Sequence, residues 1–180
     1  MKKMNVLSKN FYYKDNDFVC DGVKIEDIVK THGTPVFIYS ESLIKENLNQ
    51  ISKATKGKNI TVCYAVKANP SLSILKLVGQ EKLGFDVVSE GEMRRVLTSS
   101  PGQKIIFSGV GKTEEEIMFA LQNKIFSINV ESLPELTLVN RVAGELNLKA
   151  PVSIRINPDV DPNTHPYIAT GLRENKFGMS

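Results

Sequence analysis

The sequence predicts an α/β fold, a partial (β/α)8 TIM-like barrel, and two observations carry that expectation. Five apolar segments recur roughly every 20 to 26 residues with helical stretches between them, the rhythm of βα units in a parallel sheet. The later segments are also two-faced: Val152, Ile154 and Ile156 alternate with Ser153, Arg155 and Asn157, and Ile128 and Val130 alternate with Ser127, Asn129 and Glu131. A parallel strand covered by helices on both sides reads as almost continuously apolar. A barrel strand can turn its apolar face to the helices and line a polar site with the other. A doubly wound sheet is the alternative.

The elements follow in order. Phe18 to Cys20 and Val23 to Ile25 flank Asp21-Gly22, a two-residue hairpin signal. A short helix is expected over Glu26 to His32, stopped by Gly33 with Pro35 just beyond. Val36 to Tyr39 reads as a strand, and Ser40 can cap a helix carrying Leu43, Ile44, Leu48 and Ile51. The barrel strands are expected at Ile60–Val66, Phe85–Ser89, Lys104–Ser108, Ile125–Val130 and Val152–Asn157, with helices starting near Ser71, Glu90, Thr113 and Ser132. Thr113-x-x-Glu116 and Ser132-x-x-Glu135 are capping boxes. Residues 1–35 form an N-terminal segment and residues 36–180 the first part of the barrel. A complete barrel needs about 250 residues, so the 180 residues read as the front portion of a larger protein.

Composition narrows the function classes. The net charge is only +3, and no run of five or six like charges appears, so nucleic-acid binding and anionic-membrane binding have no support. No stretch is apolar enough for a membrane span, and the polar start Met1 to Asn10 is not a signal-peptide core. Cys20 and Cys63 lie far apart without a CxxC pair, and Cys63 is expected as a buried free thiol; the default location is cytoplasmic.

Several motifs fail. Gly111-Lys112-Thr113 lacks the earlier glycine of a P-loop, because Ile106 stands there, and Gly109-Val110-Gly111 lacks the third glycine of a dinucleotide fingerprint, because Glu114 does. Asp159-x-Asp161-x-Asn163 with His165 suggests a metal loop, but Thr164 and Thr170 replace the glycine and glutamate an EF-hand requires. Pro158 and Pro162 favour a turn-rich loop, and no metal site is assigned.

Lys67 is the chemically informative residue. It ends an expected apolar strand in Tyr64-Ala65-Val66-Lys67-Ala68-Asn69-Pro70. Burial there would depress an ammonium pKa and free an amine for Schiff-base chemistry. The alternative is a strand-end lysine that snorkels to solvent.

Three blocks together resemble one family. Tyr64 to Asn69 is similar to the cofactor-lysine motif of the fold-type III pyridoxal phosphate enzymes, which share an alanine-racemase-type barrel. Gly84-Phe85-Asp86-Val87-Val88-Ser89-Glu90-Gly91-Glu92 resembles that group's second-strand motif. Arg155 to Asp161 with His165 to Leu172 and Glu174 to Gly178 resembles its diaminopimelate-type decarboxylases more than its ornithine, arginine or racemase branches. The similarity runs from about Gly33 to Gly178, with one departure: Glu90 stands where a second glycine is common.

The resemblance implies a decarboxylase of meso-2,6-diaminopimelate that makes L-lysine, with pyridoxal 5'-phosphate held as a Schiff base on Lys67. It implies that Asp86 and Glu92 are acids near that lysine, and that Arg155 orients Lys67 or the cofactor. Asp86 can instead be a strand-end cap, Glu92 an exposed first-turn glutamate, and Arg155 half of a structural ion pair. His165 and Lys176 would lie in an active-site loop after the fifth barrel strand. The family's N-terminal segments help build a β-domain, and its enzymes suggest a homodimer. Related decarboxylases of other basic amino acids or polyamines, and a non-catalytic pyridoxal phosphate-binding protein, are the alternatives. The family's phosphate site, ring-stacking histidine and most substrate-carboxylate contacts are expected beyond Ser180, so these residues alone are expected to show little or no decarboxylase activity.

Overall fold

Two positive-φ turns organise the N-terminal part of a computed structural model that describes residues 9–157 and 178–179. The chain divides into two compact units, Met1–Asn59 and Ile60–Ser180. In the first, β1 (Phe11–Lys14), β2 (Asp17–Cys20) and β3 (Val23–Lys24) form an antiparallel sheet in sequence order. Asp21-Gly22 turns with φ of 47° and 85°, as the hairpin signal predicts. Asp15-Asn16 makes a second such turn, with φ of 50° and 71°, and adds β1, which the sequence reading had not assigned.

Helix α1 (Ile25–His32) stops at Gly33, whose φ is 75°. Ser40 caps α2 (Glu41–Thr55) by accepting from the Leu43 amide at 3.0 Å. Asp21 ties the hairpin to this cap: its carboxylate accepts from Ser40 Oγ at 2.9 Å, the Ser42 amide at 3.1 Å and Asn10 Nδ2 at 3.0 Å. Val36–Tyr39 is not a strand, and Phe37 is 87% exposed. Its β-forming residues describe a segment that would fit a pleated surface, but among the described residues no sheet partner takes it up.

In the second unit, β4 (Cys63–Ala65), β5 (Gly84–Val87), β6 (Ile105–Phe107), β7 (Ser127–Val130) and β8 (Val152–Ile154) form a parallel sheet in strictly sequential order. A doubly wound sheet would reverse its strand order at a switch point. There is no reversal among these strands, which decides for the partial barrel. Helices α3 (Leu72–Gln80), α4 (Glu90–Ser99), α5 (Glu114–Gln122) and α6 (Leu133–Glu145) form the crossovers. Beyond β8, Met179 pairs in parallel with Ile156.

Register assigns the two faces of the sheet. Phe85 lies beside Ile105, and Phe107 beside Ile128. With Val87 and Val130 these side chains pack among Leu75, Val78, Met93, Val96, Ile117, Val139 and Val142 of the helices, forming the core. Burial of each large side chain is worth about 1.5–3 kcal/mol, which fixes this face inward. The opposite face carries Ala65, Asp86, Ile106 and Ser127 in one row. Ser108, Asn129 and Ser153 occupy the next. Hydrogen bonds from Asn129 Nδ2 to Ser108 Oγ and between Ser127 and Ser153, both 2.9 Å, confirm that these side chains share a face. On β8 the apolar alternation leaves Val152, Ile154 and Ile156 exposed rather than under a helix.

Candidate active site

In a parallel βα unit the functional positions lie where strands hand over to helices, at the C-terminal edge. Strand β4 ends at Ala65, two residues short of the expected Lys67, and Val66–Ala68 form a 3₁₀ turn. Lys67 is exposed, which corrects the expectation that the strand buries it; Val66 takes the buried position instead. The turn is held at both ends. Tyr64 Oη donates to the Asn69 carbonyl at 3.3 Å, and Asn69 Oδ1 accepts from the Ser71 amide at 3.0 Å, at the start of α3. An exposed amine on a backbone fixed in this way is accessible and already placed.

Asp86, in the middle of β5, is the register partner of Ala65. Its Oδ1 is buried and has no hydrogen-bond partner among the described residues. A buried carboxylate oxygen left without a donor is costly, and such atoms mark strained or functional positions. Cys63 shares this face and is half-buried rather than buried. Its burial, and then the charge of Asp86, push the thiol above its ordinary pKa, the opposite of an activated nucleophile.

Glu92 is the third residue of α4. Its Oε2 accepts from the Val88 amide at 2.9 Å, just past the end of β5, while Ser89 Oγ accepts from the Glu92 amide. The carboxylate thus closes the β5–α4 turn. The departure at Glu90 is absorbed in the same place: its amide donates to Glu116 Oε1 at 3.1 Å, and its side chain pairs with Arg94 at 2.7 Å.

Arg155, just past β8, donates to Glu131 Oε1 at 3.1 Å across the adjacent strand end. Glu131 Oε2 also accepts from the Gly178 amide at 3.1 Å. Glu131 did not stand out in the sequence beyond its place on the polar face. Behind it lies a buried pair that sequence reasoning missed: Lys112 Nζ meets Glu135 Oε1 at 2.6 Å and donates to the Asn129 carbonyl at 2.7 Å. The only sequence signal was Ser132-x-x-Glu135, read as a capping box. Ser132 does cap, but Glu135 Oε2 reaches one residue further back, to the Glu131 amide at 2.8 Å.

The structure therefore brings Lys67 and Asp86 to neighbouring strands at the same end of the sheet. It sets Glu92 in the turn after β5 and Arg155 at the far strand of the row. His165, Lys176 and the Asp159–Asn163 loop lie outside the described residues. Among the described residues no group of three or more His, Cys, Asp or Glu side chains is arranged to hold a metal ion, and no helix is long and apolar enough to cross a membrane.

A sequential parallel sheet with helical crossovers, a lysine in the turn after its first strand and an acid within its second is the architecture of a (β/α) barrel enzyme's first half. The chain belongs to the pyridoxal-dependent decarboxylase family: residues 41–180 match the pyridoxal binding domain of that family. Over 170 residues it is 48% identical to the diaminopimelate decarboxylase of Vibrio cholerae, a match covering 94% of this chain and 41% of that protein. Among solved structures, diaminopimelate decarboxylase of M. jannaschii in co-complex with L-lysine superposes with a TM-score of 0.86 at 42% identity, covering 95% of this chain and 41% of that one. The Helicobacter pylori enzyme complexed with L-lysine gives 0.77 at 46% identity, covering 85% and 39%. The chain spans about 41% of the length of the curated relatives it matches.

Proposed function

We propose that this chain supplies the covalent-anchor part of a diaminopimelate decarboxylase active site, converting meso-2,6-diaminopimelate and a proton into L-lysine and CO2. The observation that carries the reading is the placement of Lys67 in a pinned turn beside β5, in a chain whose diaminopimelate decarboxylase relatives match over nearly its whole length. The residues present fit pyridoxal 5'-phosphate: an accessible amine, an acid with an unpartnered buried oxygen, and a polar face that carries Ser108 and Asn129 beyond it.

Lys67 would hold the cofactor covalently and release it as the substrate amine takes its place. Pyridoxal phosphate, when bound, supplies the electron sink for the pair left behind as the carboxyl group departs. The freed Lys67 amine is a group that can carry a proton in the reaction, and Asp86, on the strand next to the one that leads into Lys67, would supply an acid to the same site. Arg155, steadied by Glu131, presents a cation toward the same face. Glu92 acts on the site through the β5–α4 turn that it closes. His165 and Lys176 enter the proposal only as further active-site residues, on the strength of the family resemblance. We also place the protein in the cytoplasm as a homodimer, in line with its resemblance to this family.

Borohydride reduction of the pyridoxal phosphate-loaded full-length protein, followed by peptide mapping, tests the anchor. A phosphopyridoxyl adduct on the Lys67 peptide is expected, and one on another lysine refutes the assignment. CO2 release measured with meso-diaminopimelate, ornithine and arginine side by side tests the substrate; preference for either of the latter two sinks it.

A further inference from the structure

The loop after β6 carries a lysine that the anchor chemistry does not use. Lys112 follows Gly111, which turns with a φ of 66°, and its side chain is 0% exposed, against 10% for its partner Glu135. The attraction within a buried ion pair is largely offset by the cost of taking both charges out of water, so what this pair contributes is sought in the geometry its hydrogen bonds fix. Here the geometry fixed is the C-terminal end of β7.

Lys112 Nζ donates to the Asn129 carbonyl and to Glu135 Oε1. The other oxygen of Glu135 accepts the Glu131 amide. Glu131 then accepts from Arg155 and from the Gly178 amide. Asn129, held through its carbonyl, donates its own side-chain amide to Ser108 on the polar face. One buried cation thus controls the backbone at Asn129 and at Glu131, the two residues that present polar side chains toward Ser108 and Arg155. The ring of Phe107, 5.2 Å from Nζ, forms part of the wall of this pocket.

We propose that Lys112 is a positioning residue of the candidate site: through Glu135 it fixes Glu131, and through Glu131 it sets the guanidinium of Arg155. This rests on the reading above only in treating Arg155 as part of the site.

A double-mutant cycle in the full-length protein tests it, with pyridoxal phosphate affinity, KM and kcat measured for Lys112→Met, Arg155→Ala and the double variant. Each single variant is expected to weaken cofactor affinity or kcat/KM by about tenfold, and the double variant by no more than the larger single, because residues in one network are non-additive. Multiplying losses, or an Arg155→Ala variant without effect, overturns the proposal. Lys112→Arg, which keeps the charge, should recover most of the loss. If Lys112→Met does not fold, Glu135→Gln enters the same cycle, since it keeps an oxygen for the Glu131 amide while weakening the pair.

Amide hydrogen exchange of the cofactor-free Lys112→Met or Glu135→Gln protein gives a readout independent of activity. Faster exchange confined to peptides around residues 127–133 and 153–157 is expected, and unchanged exchange there refutes the positioning role. An adduct found away from Lys67 would defeat the functional reading while leaving this exchange result standing.

Discussion

Ala65 and Asp86 sit side by side in the parallel pairing of β4 and β5, and Lys67 follows Ala65 by two residues. The lysine and the acid therefore leave neighbouring strands at one end of the sheet, although they are 19 positions apart in the chain.

Asp86→Ala should separate stability from activity. Removing a buried carboxylate oxygen that has no donor relieves its desolvation, so the cofactor-free protein should unfold at the same denaturant concentration or be stabilised by up to about 1 kcal/mol. Decarboxylation by the full-length protein should fall by about tenfold or more if Asp86 serves the cofactor site as proposed. Marked destabilisation with full activity would make Asp86 a structural residue.

Gly109→Ala should be costly for a different reason. A Cβ at this position would lie 2.2 Å from the Val88 carbonyl oxygen and 2.9 Å from its carbon. Backbone cannot step aside as a side-chain tip can, so β5 and β6 would have to part where they enter the site. A loss of about 1–3 kcal/mol, in the range of overpacked cores, is expected in a urea titration. A variant as stable as the parent would show that the strands yield there.

The pH dependence of the N-terminal unit should carry the mark of Asp21. Partial burial pushes its carboxyl up, but donors from Asn10, Ser42 and Ser40 outweigh this and hold it below the usual carboxylate range. The folded-state pKa is thus lower than the unfolded one of about 3.9. Its contribution is complete above that value and is lost as pH falls through the lower, folded value. Asp21 is exposed, so solvent screening keeps the effect to about 1 kcal/mol or less. The stability gap between the parent and Asp21→Asn, measured from pH 7 down to pH 2, should narrow only below pH ~4. A gap constant to the acid end would mean that Asn10, Ser40 and Ser42 do not favour the charged form.

Much of this architecture could be read from local signals. The starts of α4, α5 and α6 lie within a residue of the positions read from the sequence, because a Ser or Thr oxygen meeting the amide three residues on is a local interaction. The polar face of β7 was legible from its alternation, and a parallel sheet from the βα rhythm, while the strictly sequential strand order came from the structure. What escaped depends on distant partners. β1 was missed because Asp15-Asn16 lacks the glycine that announces such turns. Val36–Tyr39 has the composition of a strand but pairs with no strand among the described residues. Lys112 could not be recognised as buried, since its partner Glu135 stands 23 residues away in the position of an ordinary capping glutamate. The strand expected over Ile60–Val66 ends at Ala65, and the 3₁₀ turn that replaces its last residue carries Lys67 to the surface; such boundaries are the least legible part of any sequence.

Glu92 offers the sharpest contrast between a reacting group and a positioning one. Its carboxylate oxygen accepts the Val88 amide at 2.9 Å, and its own amide is capped by Ser89 Oγ at 3.3 Å. Glu92→Gln keeps an oxygen that can accept from Val88 and loses only the charge. Glu92→Ala leaves that amide without its acceptor and should cost about 1 kcal/mol, as the loss of one half of a capping interaction does. If Glu92 acts through the turn, Glu92→Gln should keep the parent's kcat and KM to within about threefold, while Glu92→Ala loses stability and, because Asp86 lies on the strand that this turn ends, some activity as well. If its charge takes part in the reaction, Glu92→Gln should fall as far as Glu92→Ala, and kcat should drop without a change in unfolding midpoint. Steady-state kinetics and urea unfolding of the same two variants separate the cases, because a turn that loses its acceptor weakens the fold whether or not substrate is present.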